Sequence, residues 1–193
     1  MTIFDLLFIA LFLATVVTLL NATLLALRGQ GARALAILRR LGIYATAYLA
    51  IVAIASIFLP RTVLRVGEPH CFDDWCITVE NAARQSAGGS VAYNVALRLS
   101  SSARRISQRE NNVAVYMTDD RARRYDPQPR QPEVPFNIQL GPQESVTATR
   151  IFALPADARK TGLVVTHEGG FPIGWFIIGY ETWFRKPAIV WLG

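Results

Sequence analysis

The sequence predicts a transmembrane helical hairpin followed by an all-β domain, an antiparallel β-sandwich, and three observations support this prediction. Residues 1–60 contain two long apolar runs with one acid and four arginines. Apolar residues make up 52% of the chain and charged residues 18%, below the roughly 25% charged residues of soluble domains. From residue 61 onward, apolar residues recur at every second position, as in strands. This composition argues against a soluble enzyme, a disordered chain and a disulfide-dense small protein.

The predicted hairpin domain covers residues 1–60, with spans at 3–27 and 41–59. The first run holds Asp5 as its only ionisable group, and the second is uncharged. At 1.5 Å per residue the runs reach roughly 37 and 28 Å, lengths that suit a hydrocarbon core of about 30 Å. Pro60 ends the second run because proline cannot donate to the helical ladder. A cleaved signal is the alternative for the first run. It is too long for one, no basic residue precedes it and a second span follows, so we expect it to be retained.

Arginines near the span ends predict the orientation. The connecting loop 28–40 carries four arginines and no acid: Arg28, Arg33, Arg39 and Arg40. The segment after the second span offers Arg61 and Arg65. Basic residues close to span ends prefer the cytoplasm. The sequence therefore predicts a multi-pass protein of the cell (inner) membrane, with a cytoplasmic loop and with the N-terminus and residues 61–193 on the extracytoplasmic side.

Each span has one face of small or polar residues. The face on the second span is Gly42, Thr46 and Ala50, and the face on the first is Thr15, Thr18 and Asn21. Small residues let helices approach closely. We expect these faces to pack the hairpin or a homodimer.

Residues 61–193 contain the alternating segments typical of short antiparallel strands. The predicted strands are 76–80, 91–99, 113–116, 136–140, 145–152, 162–166, 175–178 and 188–192. Turn formers separate them, such as Gly88-Gly89-Ser90 and Asp119-Asp120. The segment 125–135 has four prolines, and proline removes ladder donors, so we expect a long crossover there. Eight short strands without an amphipathic helix predict a sandwich.

Several motifs of this part resemble one known family. They are the segments 116–125 (YMTDDRARRY), 140–146 (LGPQESV), 152–157 (FALPAD) and 163–165 (LVV). Over residues 75–192 they resemble the immunoglobulin-like domain of bacterial lipoproteins and anchored proteins, similar to the mycobacterial immunoprotective extracellular antigens. The sequence departs from that family at Gly141-Pro142, where the family has Pro-Gly. The resemblance implies an immunoglobulin-like, extracytoplasmic sandwich and no catalytic residue.

The two cysteines are the clearest candidates for chemistry. Cys71 and Cys76 enclose four residues, and two cysteines so spaced can face each other across a hairpin. We therefore predict a structural disulfide, which an extracytoplasmic compartment permits. The alternatives are a free redox dithiol and a copper or zinc site in which His70 or His167 joins the two thiolates. We expect no cofactor and no resident metal.

Two arginine clusters, Arg104-Arg105 with Arg109 and Arg121 with Arg123-Arg124, are candidates for binding anionic lipid head groups or another polyanion. The alternative is a solvated face balanced by nearby acids. The β-domain carries a net charge of only +3 and lacks a nucleic-acid reader motif, so we expect no nucleic-acid partner.

Three functions follow from these patterns. The first is a non-enzymatic, membrane-anchored binding or scaffolding module whose partners are the lipid bilayer and an unidentified protein. The second is a redox or metal-handling membrane protein using Cys71 and Cys76. The third is a small accessory subunit of a membrane complex.

Overall fold

The computed structural model describes residues 3–87, 89–129, 132–169, 176–177 and 186–192. The chain divides into two units. The helical unit holds residues up to Pro60 together with the segment that includes Phe176 and Ile177. The sandwich unit begins at Arg61, and the chain returns to it at Pro187.

Two antiparallel helices form the first unit: α1, Ile3–Leu27, and α2, Gly31–Phe58. Both are long and apolar enough to cross a membrane. Gly29, at a φ of 75°, ends α1. The Gly29 amide donates to the Ala26 carbonyl and the Gln30 amide to the Leu25 carbonyl, the pair of bonds by which a left-handed glycine closes a helix. The hairpin turn therefore consists of residues 28–30.

The second helix begins ten residues before its predicted start at 41. Residues 31–40, predicted as loop, form the first turns of α2. Alanine, leucine and arginine dominate this stretch, and all three favour helix. Arg33, Arg39 and Arg40 consequently lie on α2 and only Arg28 lies in the turn. At the other end, Leu59 is extended, with a ψ of 124°, as the residue before a proline prefers to be.

The two predicted small-residue faces of the helices differ in burial. On α1, Thr15 and Thr18 are half-buried and Asn21 is exposed. Gly42, Thr46 and Ala50 are exposed and line one side of a shallow, open groove on α2. The face on α2 is therefore not used to pack the hairpin.

Nine strands in two sheets form the described part of the second unit. They are β1 Val63–Leu64, β2 Pro69–Phe72, β3 Trp75–Ala87, β4 Ser90–Ser101, β5 Val113–Thr118, β6 Arg124–Tyr125, β7 Ser145–Pro155, β8 Gly162–His167 and β9 Ala188–Trp191. One sheet has the order β1-β9-β8-β5-β6 and the other β2-β3-β4-β7. All pairs are antiparallel except β1 with β9.

The strand order confirms the predicted immunoglobulin-like sandwich. Strands β3, β4 and β7 occupy the places of A, B and E of that fold, and β9, β8 and β5 those of G, F and C. The helical hairpin followed by an all-β sandwich is therefore the architecture of this chain. The parallel strand β1 and the outer strand β2 are additions to the antiparallel arrangement that the sequence predicts.

Six of the eight predicted strands are present. The strand predicted at 136–140 is wrong: the Ile138 amide donates to the Pro135 carbonyl in a turn, and Leu140 forms only an isolated bridge with Gln108. The strand predicted at 175–178 lies partly outside the described residues, and Phe176 and Ile177 are not in a strand. Strands β1, β2 and β6 escape prediction because two to four residues are too few to show an alternation.

Side chains from both sheets meet in one core. Alternate residues of β4 point inward and are buried: Val91, Tyr93, Val95, Leu97 and Leu99. They pack with residues of the opposite sheet such as Met117, Leu163 and Val190. The Tyr93 hydroxyl lies 2.9 Å from the Thr161 hydroxyl, which gives this buried polar group a partner beside the opposite sheet.

A buried arginine fastens the proline-rich crossover to β7. The Arg150 side chain is 4% exposed, and its Nε lies 2.7 Å from the Glu133 carboxylate. Its Nη2 donates to the Val134 carbonyl, and its guanidinium lies 4.2 Å from the centre of the Phe136 ring. Burial lowers the pKa of Arg150, while Glu133 raises it. The ion pair between Arg150 and Glu133 and the hydrogen bond from Arg150 to Val134 therefore hold the crossover against β7.

The strand registers define two ends of the sandwich. Val113 at the start of β5 lies opposite His167 at the end of β8, and Val165 lies opposite Ala188 at the start of β9. These residues share an end with Arg61, whose Nε donates to the Pro187 carbonyl. We call this the tether end, since the chain passes between the two units there. The turns after β5 and β7 lie at the far end.

Gly162 leaves no room for a side chain, and this gives a test of the packing between β8 and β9. A Cβ at this position would lie 2.6 Å from Cδ1 of Ile189 and 2.9 Å from Cε3 of Trp191. Gly162→Ala should therefore destabilise the sandwich by about 1–3 kcal/mol through overpacking. The measurement is thermal unfolding of the full chain in detergent, followed by tryptophan fluorescence, to which the buried Trp75 contributes.

Ile189→Val provides the matched control because it removes the nearest methyl group. The double variant should lose less stability than the sum of the two single losses. Additive losses would show that the Ile189 contact is not what excludes alanine.

Candidate functional site

The disulfide hairpin is the first candidate site. Strands β2 and β3 are joined by the turn Asp73-Asp74, in which Asp73 has a φ of 56°, a conformation that aspartate tolerates better than most residues. This turn places Cys71 directly opposite Cys76, with 4.0 Å between their Cα atoms. The two sulfurs are bonded to each other, which confirms the predicted disulfide.

Both predicted histidines lie beside the same aromatic ring. The His70 ring is 4.7 Å from the Phe72 ring and the His167 ring is 4.1 Å from it, both edge-on. His167 Nε2 also lies 2.9 Å from a carboxylate oxygen of Glu110. The sequence gives no sign of this last contact, because Glu110 comes from the loop before β5.

The hairpin is not arranged as the proposed copper or zinc site. Its sulfurs are bonded to each other in the disulfide, and the described contacts include Phe72 for both histidines and Glu110 for His167. Among the described residues, no group of three or more His, Cys, Asp or Glu side chains is placed to hold a metal ion.

The two cysteines differ in exposure. Cys76 is buried, at 5% exposure, although Trp75 and Ile77 on either side of it are the residues that face the core, whereas Cys71 is exposed. Thiol–disulfide exchange needs an accessible sulfur for the incoming thiolate. The observed disulfide therefore braces the hairpin while one of its residues faces the solvent.

The second arginine cluster forms an ion-pair network around Asp119. The Asp119 side chain is fully buried in the turn between β5 and β6. It accepts hydrogen bonds from the Arg121 and Arg123 amides, from Arg123 Nε at 2.6 Å and from the Tyr125 hydroxyl at 3.0 Å. Asp157, in the turn after β7, accepts hydrogen bonds from the side chains of both Arg121 and Arg123. The network ties two turns of the far end together.

The hydrogen bonds in this network determine the charge of Asp119. Burial by itself raises the pKa of Asp119. The bonds from Arg123, Tyr125 and Arg121 outweigh burial and lower the pKa from 3.8 to about 2. The side-chain bonds from Arg123 also lower the pKa of Asp157. Asp119, in the segment 116–125, is therefore a buried and ionised carboxylate, and its role is structural.

The remaining arginine of this cluster is paired as well. Arg124 lies 2.7 Å from Asp126, also pairs with Glu168, and stacks over the Tyr116 ring at 4.2 Å. Hydrogen bonds to Glu168 and Asp126 raise the pKa of Arg124. All three arginines of the cluster thus meet acids of the same domain. Their charges are balanced, as the alternative of a solvated, acid-paired face predicts.

The first arginine cluster lies on the basic loop, residues 102–112, and differs from the second. Arg104, Arg105 and Arg109 are exposed, and the described contacts of the chain include no ion pair for any of them. Ile106 stands among them with 67% of its surface exposed. The sequence pattern alone does not distinguish the two clusters, because the distinction depends on which acids the fold brings near.

Hydrogen bonds hold the basic loop to the rest of the domain. Gln108 and Leu140 exchange two backbone bonds of 2.8 Å. The Ser102 amide donates to the Asp74 carbonyl, and Gln143 Nε2 donates to the Ser102 carbonyl. The loop is therefore anchored at its start and near its end, while Ile106 and the arginines face outward.

Comparison with known proteins finds similar solved structures only. No family model matches the chain, and no curated protein matches it. It is similar to an uncharacterised β-sandwich protein of Clostridium difficile, at 12% identity and a TM-score of 0.45, over 69% of this chain and 95% of the other. It is also similar to the secreted protein MPT63 of Mycobacterium tuberculosis, at 10% identity and a TM-score of 0.45, over 69% and 98%.

A third similar structure is the yjhA protein of Bacillus subtilis, at 12% identity and a TM-score of 0.40, over 67% of this chain and 98% of the other. Similarity at this level does not establish a family. The fold assignment rests on the strand order and the shared core, and the family resemblance stays a prediction.

Substituting both cysteines should reveal a structural disulfide. Closing so short a loop restricts the unfolded chain only slightly, so Cys71→Ser with Cys76→Ser should lower the stability of the sandwich by about 2 kcal/mol without abolishing the fold. Thermal unfolding measures the loss, and reductant added to the unmodified chain should reproduce it. Intact mass after alkylation, with and without reductant, should show two thiols that react only after reduction. Free alkylation without reductant, or stoichiometric copper or zinc lost on substitution, would favour redox or metal chemistry instead.

We expect Asp119 to contribute to the free energy of unfolding in a way that depends on pH. Its folded pKa lies below its unfolded value, so the stabilisation is complete above about pH 5 and is lost as the pH falls from about 4 to 2. Asp119→Asn should cost about 1–3 kcal/mol at pH 6, because it removes the charge that the arginines bond. The difference between the variant and the unmodified chain should shrink as the pH is lowered toward 2, measured by thermal unfolding. Asp126→Asn, at an exposed pair, is the control and should have little effect. A loss that is constant with pH would contradict the assignment.

Proposed function

We propose that this protein is a membrane-anchored, non-enzymatic binding or scaffolding module whose sandwich is presented on the extracytoplasmic side by a helical hairpin. The observation that carries the proposal is the disulfide between Cys71 and Cys76. Structural disulfides persist in oxidising compartments and are rare in the cytosol. This disulfide belongs to a domain that follows two apolar helices, so an extracytoplasmic location agrees with both parts of the chain.

The arginines support the same orientation. Arg28 lies in the hairpin turn, and Arg33, Arg39 and Arg40 lie in the first turns of α2. A helix of 28 residues is about 42 Å long, more than a hydrocarbon core of about 30 Å needs. The arginine-bearing turns can therefore extend beyond the apolar layer into the cytoplasm, with the inner membrane spanned twice.

The charged residues of the sandwich support a non-enzymatic role. Asp119, Asp157, Glu133 and Glu168 are bonded to arginines that link turns and loops. These carboxylates hold the fold together, and hydrogen bonds from the arginines lower the pKa of Asp119 and of Asp157, away from the range of a general acid or base at neutral pH. The proposed module acts by presenting a surface to a partner.

The protein partner belongs to the same proposal. The exposed face of Gly42, Thr46 and Ala50 is open to a second helix, either from another copy of this chain or from a larger membrane protein that it serves as an accessory subunit. The mass of the detergent-solubilised complex distinguishes these two partners.

A redox function is the second candidate, and the exposure of Cys71 favours it. Exchange at an accessible sulfur would give a mixed disulfide with the partner thiol and release Cys76 as a thiolate, to be resolved by a second thiol. The alkylation experiment on the paired cysteines separates this function from the structural one.

Reporter fusions test the orientation. Alkaline phosphatase, which is active only outside the cytoplasm, should be active when fused after Gly193 and inactive when fused after Gln30 in the hairpin turn. A fluorescent protein that matures only in the cytoplasm should give the opposite pair of results. A cytoplasmic signal after Gly193 would overturn the orientation and, with it, the compartment proposed for the disulfide.

A further inference from the structure

We propose that the basic loop is a lipid-binding site, in which Arg104, Arg105 and Arg109 bind anionic phospholipid head groups and Ile106 enters the interface. This inference rests on the membrane anchoring in the proposed function but not on which side of the membrane the sandwich lies. It assigns a specific binding role to one of the two arginine clusters. The other cluster is excluded from that role because Asp119, Asp157, Asp126 and Glu168 neutralise it.

The ion pairs described at the tether end do not involve the arginines of the basic loop, and this favours an anionic ligand for them. The acids there include Asp73, Asp74, Glu110, Glu144 and Glu168. The Glu144 carboxylate accepts a hydrogen bond from the Gly141 amide at 2.6 Å. Glu110 contacts His167, Glu168 pairs with Arg124, and an oxygen of Asp74 accepts from the Ser102 hydroxyl at 3.2 Å. Within the described contacts, none of these acids pairs with the arginines of the basic loop. Three guanidinium groups thus remain to bind phosphate, for which their planar donors are well suited.

The strand registers place the basic loop at the tether end. The loop runs from the end of β4 to Val113, which lies opposite His167 at the end of β8. Its first residue, Ser102, bonds to Asp74 in the turn after β2, and Phe72 beside that turn contacts His167. The loop therefore shares an end of the sandwich with Arg61 and Pro187, where the chain passes to the helical unit.

The tether is short. Residues 59–62 join the end of α2 to the beginning of β1, and four extended residues reach at most about 14 Å. Attraction between basic side chains and an anionic lipid surface acts over about one Debye length, roughly 8–10 Å at physiological salt. A tether of at most about 14 Å restricts how far the start of β1 can lie from the end of α2, and an attraction acting over such a range should weaken as salt is raised.

The exposed isoleucine favours a lipid surface over a soluble acidic partner. Ile106 is the most exposed of the large apolar side chains described in the sandwich, and it is flanked by Arg105 and followed by Arg109. Basic residues around an apolar tip are the composition of segments that lie in the membrane interface. The anchors at Gln108 and Ser102 hold the loop in place, so binding requires little ordering of the backbone.

Fluorescence quenching in nanodiscs tests this site on the full chain. An environment-sensitive fluorophore is attached to Ile106→Cys under non-reducing conditions, which leave the disulfide intact. Ser86→Cys at the far end provides a matched label. Nanodiscs contain phosphatidylcholine alone or with phosphatidylglycerol, and both include a lipid quencher. With phosphatidylglycerol, quenching at position 106 should be at least about twofold stronger than at position 86, and it should decrease at high salt.

Charge variants make the test specific. Arg104→Gln, Arg105→Gln and Arg109→Gln together should reduce quenching at 106 to the level at 86. The control removes three exposed cations away from the tether end, by Arg84→Gln, Arg159→Gln and Lys160→Gln, and should leave quenching unchanged. Thermal unfolding verifies that both triple variants fold.

The outcomes separate this inference from the proposed function. Equal quenching at 106 and 86, equal quenching with and without phosphatidylglycerol, or quenching unaffected by the loop substitutions would overturn the lipid site and leave the loop for solvent or an acidic protein. Failure of the unlabelled chain to remain with nanodiscs after detergent removal would instead overturn the membrane anchoring.

Discussion

Burial of one face of β4 is the constraint on which the sandwich depends. Five apolar side chains of this strand point inward at every second residue, between β3 on one side and β7 on the other. A strand with this period must have a second layer above it, because a single sheet would leave the whole face in water. The opposite sheet supplies that layer, and the Tyr93–Thr161 contact satisfies the polar group that the layer buries.

Buried charges fix the connections that the core leaves undetermined. Asp119 holds the turn between β5 and β6, and Arg150 holds the crossover before β7. Removing a charged group such as Asp119 or Arg150 from water is costly unless donors and acceptors converge on it. These two residues therefore specify one geometry for segments that otherwise have the freedom of loops.

The sequence was sufficient for features that depend on periodicity or local spacing. The long strands β4 and β7, the two helices and the pairing of Cys71 with Cys76 all follow from such patterns. The sequence predicts a start at residue 41 because charged residues mark the end of a membrane span, whereas helix propensity continues through Arg33, Arg39 and Arg40. A membrane boundary and a helix boundary are different physical events.

The difference between the two arginine clusters could not be predicted from local sequence. Asp157 lies 34 residues from Arg123 and Glu168 lies 44 residues from Arg124, so only the folded chain shows that these charges are balanced. The role of Arg150 is hidden for a similar reason. Arg150 occupies an inward position of β7, where the alternating pattern predicts an apolar side chain. Its partner Glu133 comes from the crossover.

The pairing of β1 with β9 has a mechanical consequence. The two strands are parallel and only two residue pairs long, and the Ile189 amide also donates to the Thr62 carbonyl. A pull between Arg61 and Trp191 would strain these bonds together, in shear, rather than one after another. Because the patch is so small, it should yield before the core does. Release of residues 61–68 would then lengthen the tether by up to roughly 25 Å. Residues 61–68 are thus a short extensible segment that can lengthen under tension while the folded core remains intact.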